Sequence, residues 1–68
     1  MDVTTPTDLG QAIKLRRRAL GMTQEQLAMS SGISAATIGA IENGKETARL
    51  SLVLQLCRDL GIRLRAEV

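Results

Sequence analysis

Hydrophobic residues recur at helical spacing through most of the chain and switch to strict alternation only at its end. Leu9, Ala12, Ile13 and Leu20 form one inward stripe. Thr5 reads as an N-cap, Pro6 as the first helical residue, Asp8 as the carboxylate that closes a capping box, and Gly21 as the stop. A first helix is therefore predicted from about Pro6 to Leu20. Thr23 and Gln26 repeat the capping-box pattern and open a short second helix that ends near Ser30, followed by a tight turn at Ser31-Gly32-Ile33. Ser34 caps a third helix that runs to about Asn43, with Gly44 as its terminator. After a polar loop from Gly44 to Ala48, a fourth helix is expected from about Arg49 to Leu60, without an evident cap. Its core-facing stripe reads as Leu50, Val53, Leu54, Cys57 and Leu60. Leu52 and Leu56 are then surplus apolar surface that points to a second contact.

In the last segment Ile62, Leu64, Ala66 and Val68 alternate with Arg63, Arg65 and Glu67, the pattern of a half-buried strand. The chain holds no second strand for it to pair with. The simplest partner is the same segment of a second copy, forming an intermolecular antiparallel ribbon, with Leu52, Leu56, Ile62, Leu64 and Ala66 as the dimerising residues; the alternative is a frayed C-terminal tail. Centring on Arg65 sets Arg63 opposite Glu67 and brings the two Arg65 side chains together, whereas centring on Ala66 pairs Arg65 with Glu67; both registers stay open. The expected organisation is one domain over 1–68, with a helical core over 5–61 and a dimerising strand over 62–68.

Size and composition narrow the function. With 68 residues, a single core only marginally offsets the loss of chain entropy, so help from a partner chain is expected. Cys57 is alone and there is no His, which leaves neither an internal disulfide nor a zinc site. No metal or cofactor is implied. Cys57 lies on the fourth helix's stripe as a small buried thiol, and Ser30, Ser31 and the Glu residues have no base or metal-ligand constellation around them, so the chain is not expected to be an enzyme. No apolar run approaches the roughly 20 residues that span a bilayer, and MDVTTPTDLG lacks the character of a signal peptide, so a cytoplasmic protein without membrane contact is expected. Aromatic residues are absent, which excludes base stacking on single strands. The net charge is only +2, yet Lys14, Arg16, Arg17 and Arg18 place four positive charges within five residues. Such a cluster attracts phosphates or simply forms a solvated helix face. Arg17 falls on or beside the inward stripe and needs a partner, because an unpaired buried charge costs on the order of 3 to 5 kcal/mol.

The unit from Thr23 to Asn43 carries the most specific signal. Leu27, Ile33, Ile38 and Ile41 are apolar anchors between two short helices, Ala28 is small where those helices cross, and Gly32 falls where the turn needs positive φ. Through Arg17, GMTQEQLAMSSGIS and IENGK, the sequence resembles the Cro and phage-repressor type of helix-turn-helix. TPTDLGQAIKLRR at the front and DLGIRL at the back are most similar to HipB-type antitoxins within that family.

The resemblance implies an all-α, four-helix, lambda-repressor-like domain whose C-terminal strand pairs across a dimer. It also implies that Arg17 pairs with Glu42 beneath helix 3, that Gln24 beside Thr23 at the start of helix 2 holds a DNA phosphate, and that Asn43 and Lys45 anchor the backbone on the other side. Bases would be met by the start of helix 3, at Ser34, Ala35, Ala36 and Thr37. Where phage members often carry Gln, this chain has Ala35 and Ala36. Ala can touch only a thymine methyl, and no Arg, Asn or Gln on this helix can make a bidentate base contact. Direct readout is therefore expected to be thin, with affinity from phosphates and specificity from DNA shape and from palindromic half-sites about one helical turn apart. The function implied is that of a dimeric repressor that doubles as the antitoxin of a HipA-like kinase toxin and regulates its own operon. The alternatives are a plain phage or restriction-system repressor and a protein-interaction module that has lost DNA binding.

Overall fold

In the computed structural model, which describes residues 1–68, the chain forms four helices: α1 Pro6–Ala19, α2 Gln24–Ser31, α3 Ala35–Glu42 and α4 Leu50–Asp59. Three of the four starts are held by the side chains that the sequence points to. Thr5 Oγ1 accepts from Asp8 N at 3.0 Å and Ser34 Oγ from Thr37 N at 3.1 Å. At α2 both halves of the capping box form, with Gln26 N to Thr23 Oγ1 at 3.1 Å and Thr23 N to Gln26 Oε1 at 2.8 Å. Each such cap is worth about 1 kcal/mol. Asp8 departs from expectation. Its carboxylate reaches one residue past the cap and accepts from Thr4 N at 3.0 Å and Thr4 Oγ1 at 3.2 Å, so it secures the preceding arm rather than the Thr5 N–H. The α4 start has Arg49 at the N-cap with no side-chain hydrogen bond.

The turn between α2 and α3 depends on Gly32, whose φ of 75° lies in the left-handed region that a side chain would strain. Its N–H closes on Ala28 O at 3.0 Å, and Ser31 Oγ takes the next free amide, Ile33 N, at 3.2 Å. Gln55 of α4 donates to Ser31 O at 2.7 Å and so fastens the end of α2 to the last helix.

The core is aliphatic: Ile13, Leu27, Ile33, Ile38, Ile41, Val53, Leu56, Cys57 and Leu60 are buried together, with Leu9, Met22, Ala28, Ala48, Leu52 and Ile62 packed on its margin. Two helices differ from the sequence reading. In α1, Leu20 is 45% exposed because the helix ends at Ala19 and Leu20 lies where the chain turns away. In α4 the buried stripe is Val53, Leu56, Cys57 and Leu60, while Leu50 is 64% exposed at the helix start. Leu56 is completely buried inside the protomer, so it is withdrawn from the dimerising set. Leu52 is half-buried against the core margin and keeps only part of its surface free.

Residues 62–68 form no strand in the single chain, since a strand needs a neighbour and the chain offers none. Their exit from the core is nevertheless fixed. Ile62 N donates to Cys57 O at 2.8 Å, Arg16 Nε donates to Leu60 O at 2.8 Å, and Ile62 packs on the core, leaving Leu64, Ala66 and Val68 exposed. No helix is long and apolar enough to cross a membrane, and no group of His, Cys, Asp or Glu side chains is assembled that could hold a metal ion.

Helices α1 and α3 approach so closely that Gly10 is buried, and a Cβ placed there would collide with Ile41 O and lie 2.8 Å from Glu42 O. Gly10→Ala should therefore destabilise by about 1–3 kcal/mol, the usual cost of forcing atoms into a filled contact. Gly39→Ala should instead be neutral or stabilise by about 0.5–1 kcal/mol, because its Cβ would meet only the Gln24 side chain at 3.5 Å. Urea unfolding of both variants checks this; equal stability of Gly10→Ala and the parent chain would contradict the close crossing.

Candidate nucleic-acid interface

Beneath α3, Arg17 and Glu42 form a bidentate pair, with Nε to Oε2 at 2.7 Å and Nη2 to Oε1 at 2.9 Å. Both residues are buried, at 6% and 5% exposure. The remaining guanidinium edge donates through Nη1 to Met22 O at 2.7 Å, and Gln24 Nε2 donates to Glu42 Oε1 at 3.1 Å. No buried side-chain nitrogen or oxygen is left without a partner. The pair thus joins the end of α1, the entrance to α2 and the end of α3. Arg17 and Glu42 meet as the resemblance implies, and the need for a partner read from the stripe is met.

Gln24 gains a role that its position in the sequence did not reveal. One amide proton is committed to Glu42 and the other is free, while the first-turn N–H groups of Gln24 and Glu25 leave the helix mouth without intrahelical acceptors. Thr23 is exposed beside them, its hydroxyl taken up by the cap. Asn43 is the C-cap of α3 and is exposed, and Lys45 is exposed just beyond Gly44, whose φ of 83°, with no room for a Cβ beside Thr7, fixes the chain's departure from α3.

The outer side of α3 carries Ala36 exposed and Ala35, Thr37 and Ala40 half-buried, opposite the buried Ile38, Ile41 and Glu42. Ser34 and Thr37 satisfy one another: Ser34 Oγ accepts Thr37 N–H and donates to Thr37 Oγ1 at 2.8 Å, so the Thr37 hydroxyl proton is the one left for an outside acceptor. Between this side and the α3–α4 loop lies a notch of about 290 Å³ that gathers Ala36, Thr37 and Lys45 together with Ala40, Ala48 and Arg49. Arg49 and Thr47, which also lines the notch, were not singled out from the sequence; only the path of the loop brings them beside α3. The basic cluster of α1 divides. Arg17 is buried and Arg16 is bonded to Leu60 O, which leaves Lys14 half-buried and Arg18 exposed.

The pair sets the acid sensitivity of the fold. Burial pushes the Glu42 carboxyl up, but hydrogen bonds from Arg17 and Gln24 and the attraction of Arg17 and Lys14 together outweigh it and hold the carboxyl below the usual glutamate range. The Arg17 guanidinium is pushed up chiefly by its hydrogen bonds to Glu42, against burial. A carboxyl lowered in the folded state contributes stability that is complete above its unfolded value and is lost as pH falls through the folded value. Asp8, held low mainly by the Thr4 backbone hydrogen bond, acts with the same sign at the surface.

We expect Glu42→Gln to flatten the loss of stability below the ordinary glutamate range, with Asp8→Asn having a smaller effect, as measured by thermal melting across acidic pH. Glu42→Ala should cost on the order of 3 to 5 kcal/mol by stranding Arg17, and the double change Arg17→Met with Glu42→Leu should recover part of it. A Glu42→Ala variant with normal melting but altered sequence preference would overturn this assignment.

The helix-turn-helix family model matches residues 13–66, most of the chain. The chain is 34% identical over 59 residues to the uncharacterized HTH-type transcriptional regulator y4mF of Sinorhizobium fredii, covering 87% of this chain and 78% of that protein. It is 34% identical over 62 residues to antitoxin HipB of Escherichia coli K12, covering 91% of this chain and 70% of HipB. Among solved structures, a chain of the HipA-HipB-O2-O3 complex superposes with a TM-score of 0.88 at 31% identity, covering 100% of this chain and 96% of that one. With its capped helices, glycine turn and buried Arg17–Glu42 pair in the matched region, the chain belongs to the helix-turn-helix family of the Cro and phage-repressor type and resembles HipB.

Proposed function

We propose that this protein is a dimeric DNA-binding repressor that serves as the antitoxin of a HipA-like kinase toxin and regulates its own operon. The observation that carries the reading is the likeness to HipB, joined by a match over the whole of this chain to a chain of the HipA-HipB-O2-O3 complex. The DNA half rests on the exposed start of α3 together with the α2 mouth, where Gln24 reaches Glu42, and with the exposed Asn43 and Lys45 just past the end of α3. Such a surface places a helix in the major groove between two phosphate contacts. Ser34, Ala35, Ala36 and Thr37 face the bases, and Thr23, Gln24, Asn43 and Lys45 hold the backbone.

Dimerisation is assigned to the C-terminal segment. Leu64 and Ala66 alternate with charged residues and carry unpaired backbone groups, Ile62 anchors the segment to the core, and the free part of Leu52 adds apolar surface. Two copies would present two α3 helices to palindromic half-sites. A non-enzymatic role is supported by relatives named as a transcriptional regulator and an antitoxin. The similarity to y4mF supports a second reading, a repressor without a toxin partner.

Two measurements test the proposal. Co-purification with the product of the neighbouring gene, followed by footprinting of the shared promoter, should yield a complex that protects two half-sites; protection without a bound partner would favour the plain repressor. Affinity should fall steeply with salt, and Lys45→Ala should reduce the slope of log K against log salt by about one per copy of the chain. An affinity indifferent to salt would contradict the phosphate contacts. Deleting residues 64–68 should leave the helices folded, convert the dimer to a monomer in sedimentation and weaken operator binding.

A further inference from the structure

The end of α4 is held more firmly than the capping of one helix requires. Gly61 takes a left-handed conformation at a φ of 73°, its N–H closes on Arg58 O at 3.2 Å, and Ile62 N closes on Cys57 O at 2.8 Å. These paired bonds make a Schellman motif, with Ile62 packed on the core as its apolar contact. The same pair of bonds ends α1, at Gly21 and Met22, and α3, at Gly44 and Lys45. The end of α4 has one thing more. The carbonyl of its C-cap residue, Leu60, accepts from Arg16 Nε at 2.8 Å, across 44 residues of sequence. The guanidinium lies against the turn, with Nη2 3.7 Å from where a Cβ on Gly61 would stand. Arg16 is exposed, and the one ion pair of the structure belongs to Arg17 and Glu42, so neither burial nor a carboxylate holds Arg16 in place. Its charge-assisted bond fixes the Leu60–Gly61 peptide plane, and with it the direction in which residues 62–68 leave the protomer.

We propose that Arg16 is a positioning residue for operator spacing. By holding the Leu60 carbonyl it sets the angle between two protomers joined through residues 62–68, and so the separation of half-sites that the dimer accepts. This rests on the dimeric DNA-binding reading and deepens it. The tolerance is small. A swing of about 10° at the exit displaces atoms half of the molecule's 35 Å length away by about 3 Å, close to the ~3.4 Å rise of one base pair. In a two-fold dimer both protomers are displaced together. With Leu60 O released, the Schellman bonds still close α4, but the direction of the chain beyond it rests on Gly61, the residue type that resists backbone rotation least. The dimer then accepts neighbouring separations and fits its best one less well.

The test uses the full chain and a half-site selected from a random pool of duplexes. Two copies of that half-site are placed at a series of centre-to-centre separations one base pair apart, and each affinity is measured for the parent and for Arg16→Met, which keeps an apolar stem and loses every donor. The parent should prefer its best separation about tenfold over either neighbour, and Arg16→Met should reduce that preference to about two- to threefold. Arg18→Met removes a nearby exposed charge without touching Leu60 and should keep the parent's preference. A role confined to stability would weaken binding at all separations alike. An unchanged ratio in an Arg16→Met protein that sediments as a dimer would therefore overturn the proposal while leaving the dimeric reading intact. If Arg16→Met does not fold, Arg16→Lys, which keeps the charge but has no donor at the Nε position, is read by the same ratio. A parent chain that sediments as a monomer, or that favours no separation, would overturn the dimeric reading and this inference with it.

Discussion

The fold turns on the buried Arg17–Glu42 pair. Eight aliphatic side chains and the Cys57 thiol, without a single aromatic ring, can bury surface in several arrangements of similar energy, because dispersion contacts among Leu, Ile and Val have little direction. The guanidinium and carboxylate allow far fewer. Their two short bonds require the planes of the two groups to align, and the third and fourth bonds, to Met22 O and from Gln24, draw in the entrance to α2. Three helices are thereby set against one another by a single polar knot. The close crossing at Gly10 follows, since the carbonyls at the end of α3 can reach α1 only where a side chain is missing.

What the sequence made legible was local. Thr5, Thr23 and Ser34 are read correctly as caps because a cap is decided within four residues, and Gly32 is read correctly because positive φ is a property of one residue. What it obscured was phase. Helix α4 has Leu at 50, 52, 54, 56 and 60, so apolar residues fall on nearly every side and periodicity alone cannot say which faces inward. The choice of Val53, Leu56, Cys57 and Leu60 is made by the neighbours α4 packs against. Gly10 carried no signal either, because a glycine within a helix reads as a weak position unless the approaching backbone is known.

The candidate interface divides the same way. Ser34 and Thr37 could be placed at the start of α3 from their spacing, and the Arg17 problem could be posed from its place on the stripe, although its solution came from family resemblance. The second bond of Gln24 could not, nor could the arrival of Arg49 beside Ala36, since both depend on how the chain returns after Gly44. The basic cluster on α1 misleads in the opposite direction. Its charges look like a phosphate patch in sequence, yet Arg17 is spent in the core and Arg16 in holding the Leu60 carbonyl just past α4.

That last use of Arg16 bears on how a surface with so few base-reading groups could be specific. In the proposed reading, a half-site met by alanines and two hydroxyls would supply little discrimination, so two half-sites at a fixed separation would have to supply the rest. In a dimer joined through residues 62–68, that separation is set by the direction in which each chain leaves α4. The Arg16 bond to Leu60 O, the Ile62 bond to Cys57 O and the packing of Ile62 on the core all act at this exit. Flexibility there would let the two α3 helices drift out of register with the DNA and dissipate the gain from pairing them. A residue on α1, far in sequence from the segment it steadies, would thus join the stiffness of the protomer to the spacing that the proposed dimer imposes on its site.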